Sequence, residues 1–278
     1  MVRRFGLGRV GDKAGGLAGA VRSEPTMFLG RMDMRKIGGS FAGVAAADAT
    51  DEYFDNVVIL YHFDGADGAT SGAGFADSSG NSHTATARIN AAIDTAQSKF
   101  GGSSLLLDGS SYTTATDHAD FDLGAGDFTI DCWARWASDS LVQSFCGQWS
   151  GARSFFLSYE GATNKLALNY SDGSNQIVKQ TNTWSPALNT WYHISFVRAS
   201  NVAYFFIDGV RQGTDVAMTQ TIATSDDAFV VGSYDYNSGS PDQTSNYFDG
   251  WIEDLRFTVG VGRYTASYDV PTAPYPDK

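Results

Sequence analysis

From Tyr53 onward, short runs of apolar or alternating apolar and polar residues recur, rich in Val, Ile, Thr, Tyr, Phe and Trp and separated by turn-forming residues. The clearest predict strands at 56–63, 104–107, 128–136, 142–148, 154–159, 166–170, 176–180, 191–198, 202–207, 228–232 and 251–258. Six Asp-Gly pairs, starting at 64, 67, 108, 172, 208 and 249, punctuate the series. Asp208-Gly209 lies between two such runs, where a type I′ hairpin turn demands positive φ. No dozen residues carry the 3.6 period of an amphipathic helix, so the pattern predicts an all-β body with two antiparallel sheets.

The same alternation assigns faces. Over 251–257 it places Glu253 with Leu255 and Phe257 and sends Asp254 and Arg256 to the other side, so Glu253 faces the core and needs a partner. If 128–136 and 142–149 form a hairpin, Cys132 stands opposite Cys146; two buried thiols of a reduced protein are the other reading.

Residues 1–50 differ. They hold ten glycines, few large apolar side chains and no steady period, and cannot build a core alone. We read them as an extended arm in front of a domain at 51–278. The arm anchors on neighbouring subunits through Arg3, Arg4, Phe5, Phe28 and Phe41; a disordered tail is the alternative.

Composition narrows the function. The 278 residues carry a formal charge of −12, which repels nucleic acid as a whole. Eight Lys/Arg against four Asp/Glu give the first fifty residues +4, a weak nucleic-acid footprint without clustered aromatics. No apolar run approaches the ~20 residues that span a bilayer. Arg9, Asp12 and Lys13 interrupt the place of a signal peptide's apolar stretch, so no export is expected by that route. Two cysteines make no disulfide framework and no zinc cluster.

Three stretches then resemble a known family. They are Phe100-Gly-Gly-Ser-Ser-Leu-Leu-Leu-Asp-Gly109 with 119–136; Thr190-Trp-Tyr-His-Ile-Ser-Phe-Val-Arg198 leading to Phe206-Ile-Asp-Gly-Val210; and Phe248-Asp-Gly-Trp-Ile-Glu-Asp-Leu-Arg-Phe257. In order and spacing they resemble the laminin G-like branch of the concanavalin A-like lectin/glucanase jelly rolls, over roughly 57–276. The ending 260–276, with three prolines in its last part, is similar to the tail of such domains in bacteriophage virion proteins. Physically it is an extended strap that lies along the sandwich without joining a ladder.

The resemblance implies a jelly-roll fold and a non-enzymatic virion protein, assembled in host cytoplasm as part of a capsid, tail or fibre. Its partners would be other virion subunits, copies of itself and host glycans. A freestanding lectin and a glycoside hydrolase stand as alternatives. The hydrolase needs paired carboxylates, yet the 31 acids include only Glu24, Glu52, Glu160 and Glu253, no two on one predicted strand. Asp120, Asp122, Asp127 and Asp131 lie close together in a family structural motif. The family often holds Ca2+ near the Asp77-Ser-Ser-Gly-Asn81 turn and the closing strand, which implicates Asp64, Asp77, Asn81 and Glu253. An Asx-turn cap by Asp77 and a buried hydrogen bond for Glu253 are the competing reading. For a glycan, physics asks for aromatic platforms beside polar groups. Tyr234, Tyr236 and Asn237 in a loop supply both, with Trp149 and Trp184 near other loops; such aromatics also pack under their own loops.

Overall fold

The computed structural model describes residues 50–139, 142–149, 151, 153–234 and 246–278. The arm candidates Arg3, Arg4, Phe5, Phe28 and Phe41 lie outside them, as do Tyr236 and Asn237.

The body is built from β1 (Val57–Tyr61), β2 (Thr86–Arg88), β3 (Ala92–Asp94), β4 (Ser104–Asp108), β5 (Tyr112–Ala115), β6 (Phe128–Trp136), β7 (Val142–Gln148) and β8 (Phe155–Glu160). There follow β9 (Lys165–Ser171), β10 (Gln176–Gln180), β11 (Trp191–Ala199), β12 (Val202–Ile207), β13 (Val210–Arg211), β14 (Val216–Ala217), β15 (Phe229–Val231) and β16 (Asp249–Val259). One sheet runs β13-β12-β11-β6-β16-β4-β3, with β1 also on β16 and β14 on β12. The other runs β10-β9-β8-β7-β15-β5-β2. Every pairing is antiparallel, which makes this the two-sheet jelly-roll sandwich the pattern predicted.

Alternation buries one face of each sheet against the other. In β6, Phe128, Ile130, Cys132, Ala134 and Trp136 enter the shared core, and Thr129, Asp131, Trp133 and Arg135 point outward. The Asp208-Gly209 hairpin forms as its sequence requires, with φ of 48° and 70° and Ile207 opposite Val210.

Two face assignments are overturned. Strand β6 lies between β11 and β16 and has no edge left for β7, so the connection between β6 and β7 crosses from one sheet to the other. Cys132 and Cys146 therefore sit on different sheets, as buried unpaired thiols. In β16, Glu253 pairs with Trp133 and Arg256 with Asp131, leaving both Asp254 and Leu255 across from Cys132. Asp254 takes a left-handed φ of 50°, and this bulge moves the alternation on by one residue. Glu253 thus joins Trp251 and Arg256 on the outer face, while Leu255 and Phe257 stay in the core.

Residues 260–278 contain no strand and lie along the outer face of the β11-β6-β16 sheet. There Arg256 holds Asp131 through two hydrogen bonds, of 3.1 and 2.7 Å, with side chains 4% and 1% exposed as residues. Tyr264 Oη reaches both partners, at 2.9 Å from Arg256 and 3.2 Å from Asp131. The Tyr275 ring lies 3.7 Å from the Arg256 guanidinium. His193 places Nε2 2.6 Å from Tyr275 Oη and Nδ1 3.0 Å from Tyr268 Oη. Burial raises the Asp131 carboxyl, but Arg256 overrides it and holds the group below its ordinary value. Burial pushes His193 down to about 4, so its imidazole is neutral.

The far end of the strap is held by charge. His62 Nδ1 is 2.5 Å from Asp254 and Nε2 is 2.8 Å from Asp277. Burial alone would lower His62, but hydrogen bonds to Asp254 and Asp277 raise it to about 9. A folded value above the unfolded 6.5 stabilises fully below pH 6.5 and is lost as pH rises through 9. Urea unfolding between pH 7 and pH 10 will show an alkaline loss of stability that His62→Gln removes; equal pH slopes in both proteins would contradict the anchor.

Candidate functional site

The four residues implicated in calcium binding do not share a shell. Asp77 Oδ1 accepts from Leu60 N and Ser79 N, and Oδ2 from Ser79 Oγ and His83 N, each at 2.9 Å. Asn81 donates to the Val57 carbonyl at 2.9 Å. Glu253, moved outward by the bulge, accepts from Lys99 N, from Phe100 N at 2.6 Å and from Gly101 N at 3.1 Å. Asp64 lies against Gly101, and burial raises its carboxyl. Asp64, Asp77 and Glu253 are not gathered within one ion's reach. Asp77 caps a turn through three N–H groups and one hydroxyl, and Glu253 fastens the 98–101 segment through three N–H groups.

The aspartates near β6 are similarly engaged. Asp127 accepts from Ser200 N at 2.9 Å, and Asp131 is bound to Arg256. Asp120 instead meets two imidazoles, His83 at 2.8 Å and His118 at 3.1 Å.

Of the aromatic candidates, Trp149 and Tyr234 come together through Phe156. Tyr234 stacks on Phe156 at 4.1 Å, and Trp149 meets the same ring edge-on at 4.9 Å. Tyr234 is half-buried, but Trp149 is only 6% exposed, so it braces the surface and offers no open platform. Trp184 belongs elsewhere, packed on Trp136, Tyr159 and Tyr192 beside the core.

Arg153 links this aromatic corner to a groove of about 460 Å³, within the range of small-ligand sites. Its guanidinium lies 5.6 Å from the Trp149 ring, and Arg153 lines the groove with Ser171, Asn175, Gln176 and Thr224. The loop is preformed: Asp172 accepts from Ser174 N at 2.9 Å and Asn175 N at 2.7 Å, the bond to Asn175 leading those that hold its carboxyl below its usual value. Arg153 is exposed and makes no ion pair among the described residues. A second groove of about 300 Å³ contains Arg88, Asp117 and Asp227, each of which also makes a hydrogen bond within the protein, to Thr114, Gln148 and Ser225 respectively. Arg153, Asn175 and Thr224 went unmarked in the sequence because they come from separate loops without a motif. The Asp172-Gly turn was their one local signal.

A two-sheet antiparallel sandwich whose loops frame a polar groove has the architecture of lectin-like domains. The profile of the concanavalin A-like lectin/glucanases superfamily matches residues 107–259, more than half of the chain, and the chain belongs to that family. Among solved structures, domain 4 of AbnA, a GH43 extracellular arabinanase from Geobacillus stearothermophilus solved with arabinotriose, is 18% identical with a TM-score of 0.57. That match covers 74% of this chain and 94% of the other. The binding domain of Paraclostridial mosquitocidal protein 1 is 12% identical, with a TM-score of 0.54 over 76% of this chain and 51% of that one. Botulinum neurotoxin type C, described as depending on two ganglioside molecules to get into cells, is 10% identical with a TM-score of 0.52, covering 79% and 50%. The chain thus spans about half of each of the two toxin chains. At these identities the likeness is one of fold. No curated protein matched in sequence.

Because the Asp77 and Glu253 oxygens are occupied by N–H donors, adding calcium to chelator-treated protein will leave its melting temperature unchanged. A calcium-dependent rise that Glu253→Gln abolishes would contradict this assignment.

Proposed function

We propose that the body is a non-enzymatic carbohydrate-binding module, displayed by a bacteriophage virion protein that residues 1–50 anchor to other subunits. The observation that carries the binding role is the exposed Arg153 guanidinium, braced against Trp149 and opening with Asn175, Gln176 and Thr224 onto a preformed groove. Sugar hydroxyls need fixed donors and acceptors of this kind, and a held loop saves ordering entropy on binding.

Two further observations support the rest. Asp127 and Asp131 act as a cap and an ion-pair partner, so neither stands open beside a second carboxylate as glycoside hydrolysis requires. The 260–276 segment, whose sequence resembles the tail of virion laminin G-like domains, is a strap fastened to the sandwich, as a displayed domain needs for ruggedness.

A glycan array probed with the intact chain will show saturable binding. Arg153→Ala will weaken it at least about tenfold, because a charged hydrogen bond contributes roughly 1.5–3 kcal/mol, with the melting temperature unchanged. Binding indifferent to Arg153→Ala would remove this groove from the account. Association with purified particles separates the virion reading from a freestanding lectin.

A further inference from the structure

Histidines 83 and 118 are 35 positions apart and meet because β2 pairs antiparallel with β5. His83 precedes β2 and His118 follows β5, so the pairing returns both to one end of the sheet. Each is positioned by its own backbone. His83 N donates to Asp77 Oδ2 at 2.9 Å, its carbonyl accepts from Tyr61 Oη, and its ring packs edge-on against Phe121 at 4.8 Å. His118 caps the short turn Ala119–Phe121, its Nδ1 accepting from Asp120 N at 3.2 Å.

Asp120 Oδ2 lies between them, 2.8 Å from His83 Nε2 and 3.1 Å from His118 Nδ1. The tautomer of each ring sets which of these contacts is a hydrogen bond, and a bound cation would take the ring lone pairs directly, replacing the Asp120 N–H at His118 Nδ1.

We propose that His83, His118 and Asp120 form a binding site for a first-row divalent transition-metal ion of the zinc class. The donor set is the argument. Two imidazole nitrogens and one carboxylate oxygen suit zinc, cobalt or nickel, whereas calcium and magnesium select oxygen alone. One ligand atom from each residue lies within 4.8 Å of the other two. At metal–ligand bonds of about 2.0–2.2 Å, a shared tetrahedral shell sets ligand atoms roughly 3.4 Å apart. The 2.8 and 3.1 Å contacts therefore open by a few tenths of an ångström. The His118 side chain is 53% exposed, which gives an ion a path in and leaves a coordination position to water. The bound ion joins the loop before β2 to the loop after β5. It uses none of the residues the family resemblance implied for calcium, Asp64, Asp77, Asn81 and Glu253.

The probe is Zn(II), or Co(II) for its visible spectrum, added to the untagged, chelator-stripped full chain. The expected result is one ion per chain by elemental analysis, micromolar or tighter affinity and Co(II) ligand-field bands. Loss of an outer-shell partner alone costs about 10–100-fold in affinity, so His118→Ala and Asp120→Asn will each weaken binding at least tenfold. His118→Ala also removes the turn cap and lowers the metal-free melting temperature, so its affinity is measured at a temperature where the variant is folded and compared with that of Asp120→Asn. His62→Gln, which touches the strap and not this cluster, will leave affinity unchanged. Less than one equivalent in the wild-type chain would overturn the site, as would full affinity in both ligand variants.

Discussion

The buried Arg256–Asp131 pair constrains the rest of the structure. Removing two charges from water costs several kcal/mol each, and only close geometry with satisfied hydrogen bonds offsets that. The sheet supplies the pair by setting Arg256 opposite Asp131 on neighbouring strands. It cannot supply the cover. That comes from the C-terminal strap, where Tyr264 bonds to both partners and the Tyr275 ring lies over the guanidinium. Asp51, at the start of the body, joins from the other side with 3.0 Å to Arg256 and 2.8 Å to Arg263. The two ends of the body thus meet over one ion pair, and Asp51 N also donates to the Lys278 carbonyl at 2.8 Å.

Where ligand chemistry can occur follows from this. The outer face of the β11-β6-β16 sheet is occupied by the strap, and its histidine is neutral and bonded to tyrosines. The two candidate ligand sites lie on the other sheet and its loops. Arg153 opens onto the groove at the turn from β9 to β10, and the His83–His118–Asp120 cluster sits at the β2–β5 end. In a β-sandwich, loops carry specificity because strand backbones are spent on the ladder and strand side chains on the core.

The sequence revealed the long strands well, because β6, β7, β10 and β12 each combine clear alternation with turn residues at both ends. Strands β2, β3 and β5 escaped notice; they are three or four residues long and rich in Thr and Ala. Alternation also fails wherever the chain gains a residue. The bulge at Asp254 sent Glu253 to the opposite face from the one its period implied. Periodicity reports faces but not pairings, so an arch between sheets reads like a hairpin, and the hairpin that would have set Cys132 opposite Cys146 does not form, while the reading of two buried thiols agrees with the fold. Asp77 caps its turn and Glu253 accepts backbone N–H groups of 99–101, contacts that exist only once the chain has folded. The imidazole cluster was invisible because its spacing exists only after β2 and β5 pair.

The most direct test of the central constraint is Asp131→Ala, read by urea unfolding together with amide hydrogen exchange. Removing Asp131 leaves the buried Arg256 with Asp51 alone, so the account predicts a loss of about 3–5 kcal/mol. The strap amides of Tyr268 and Tyr275, bonded to Gly209 and Asp254, should lose protection at the same time. A change below about 1 kcal/mol, or strap amides as protected as before, would show that the sandwich stands without the sealed ion pair.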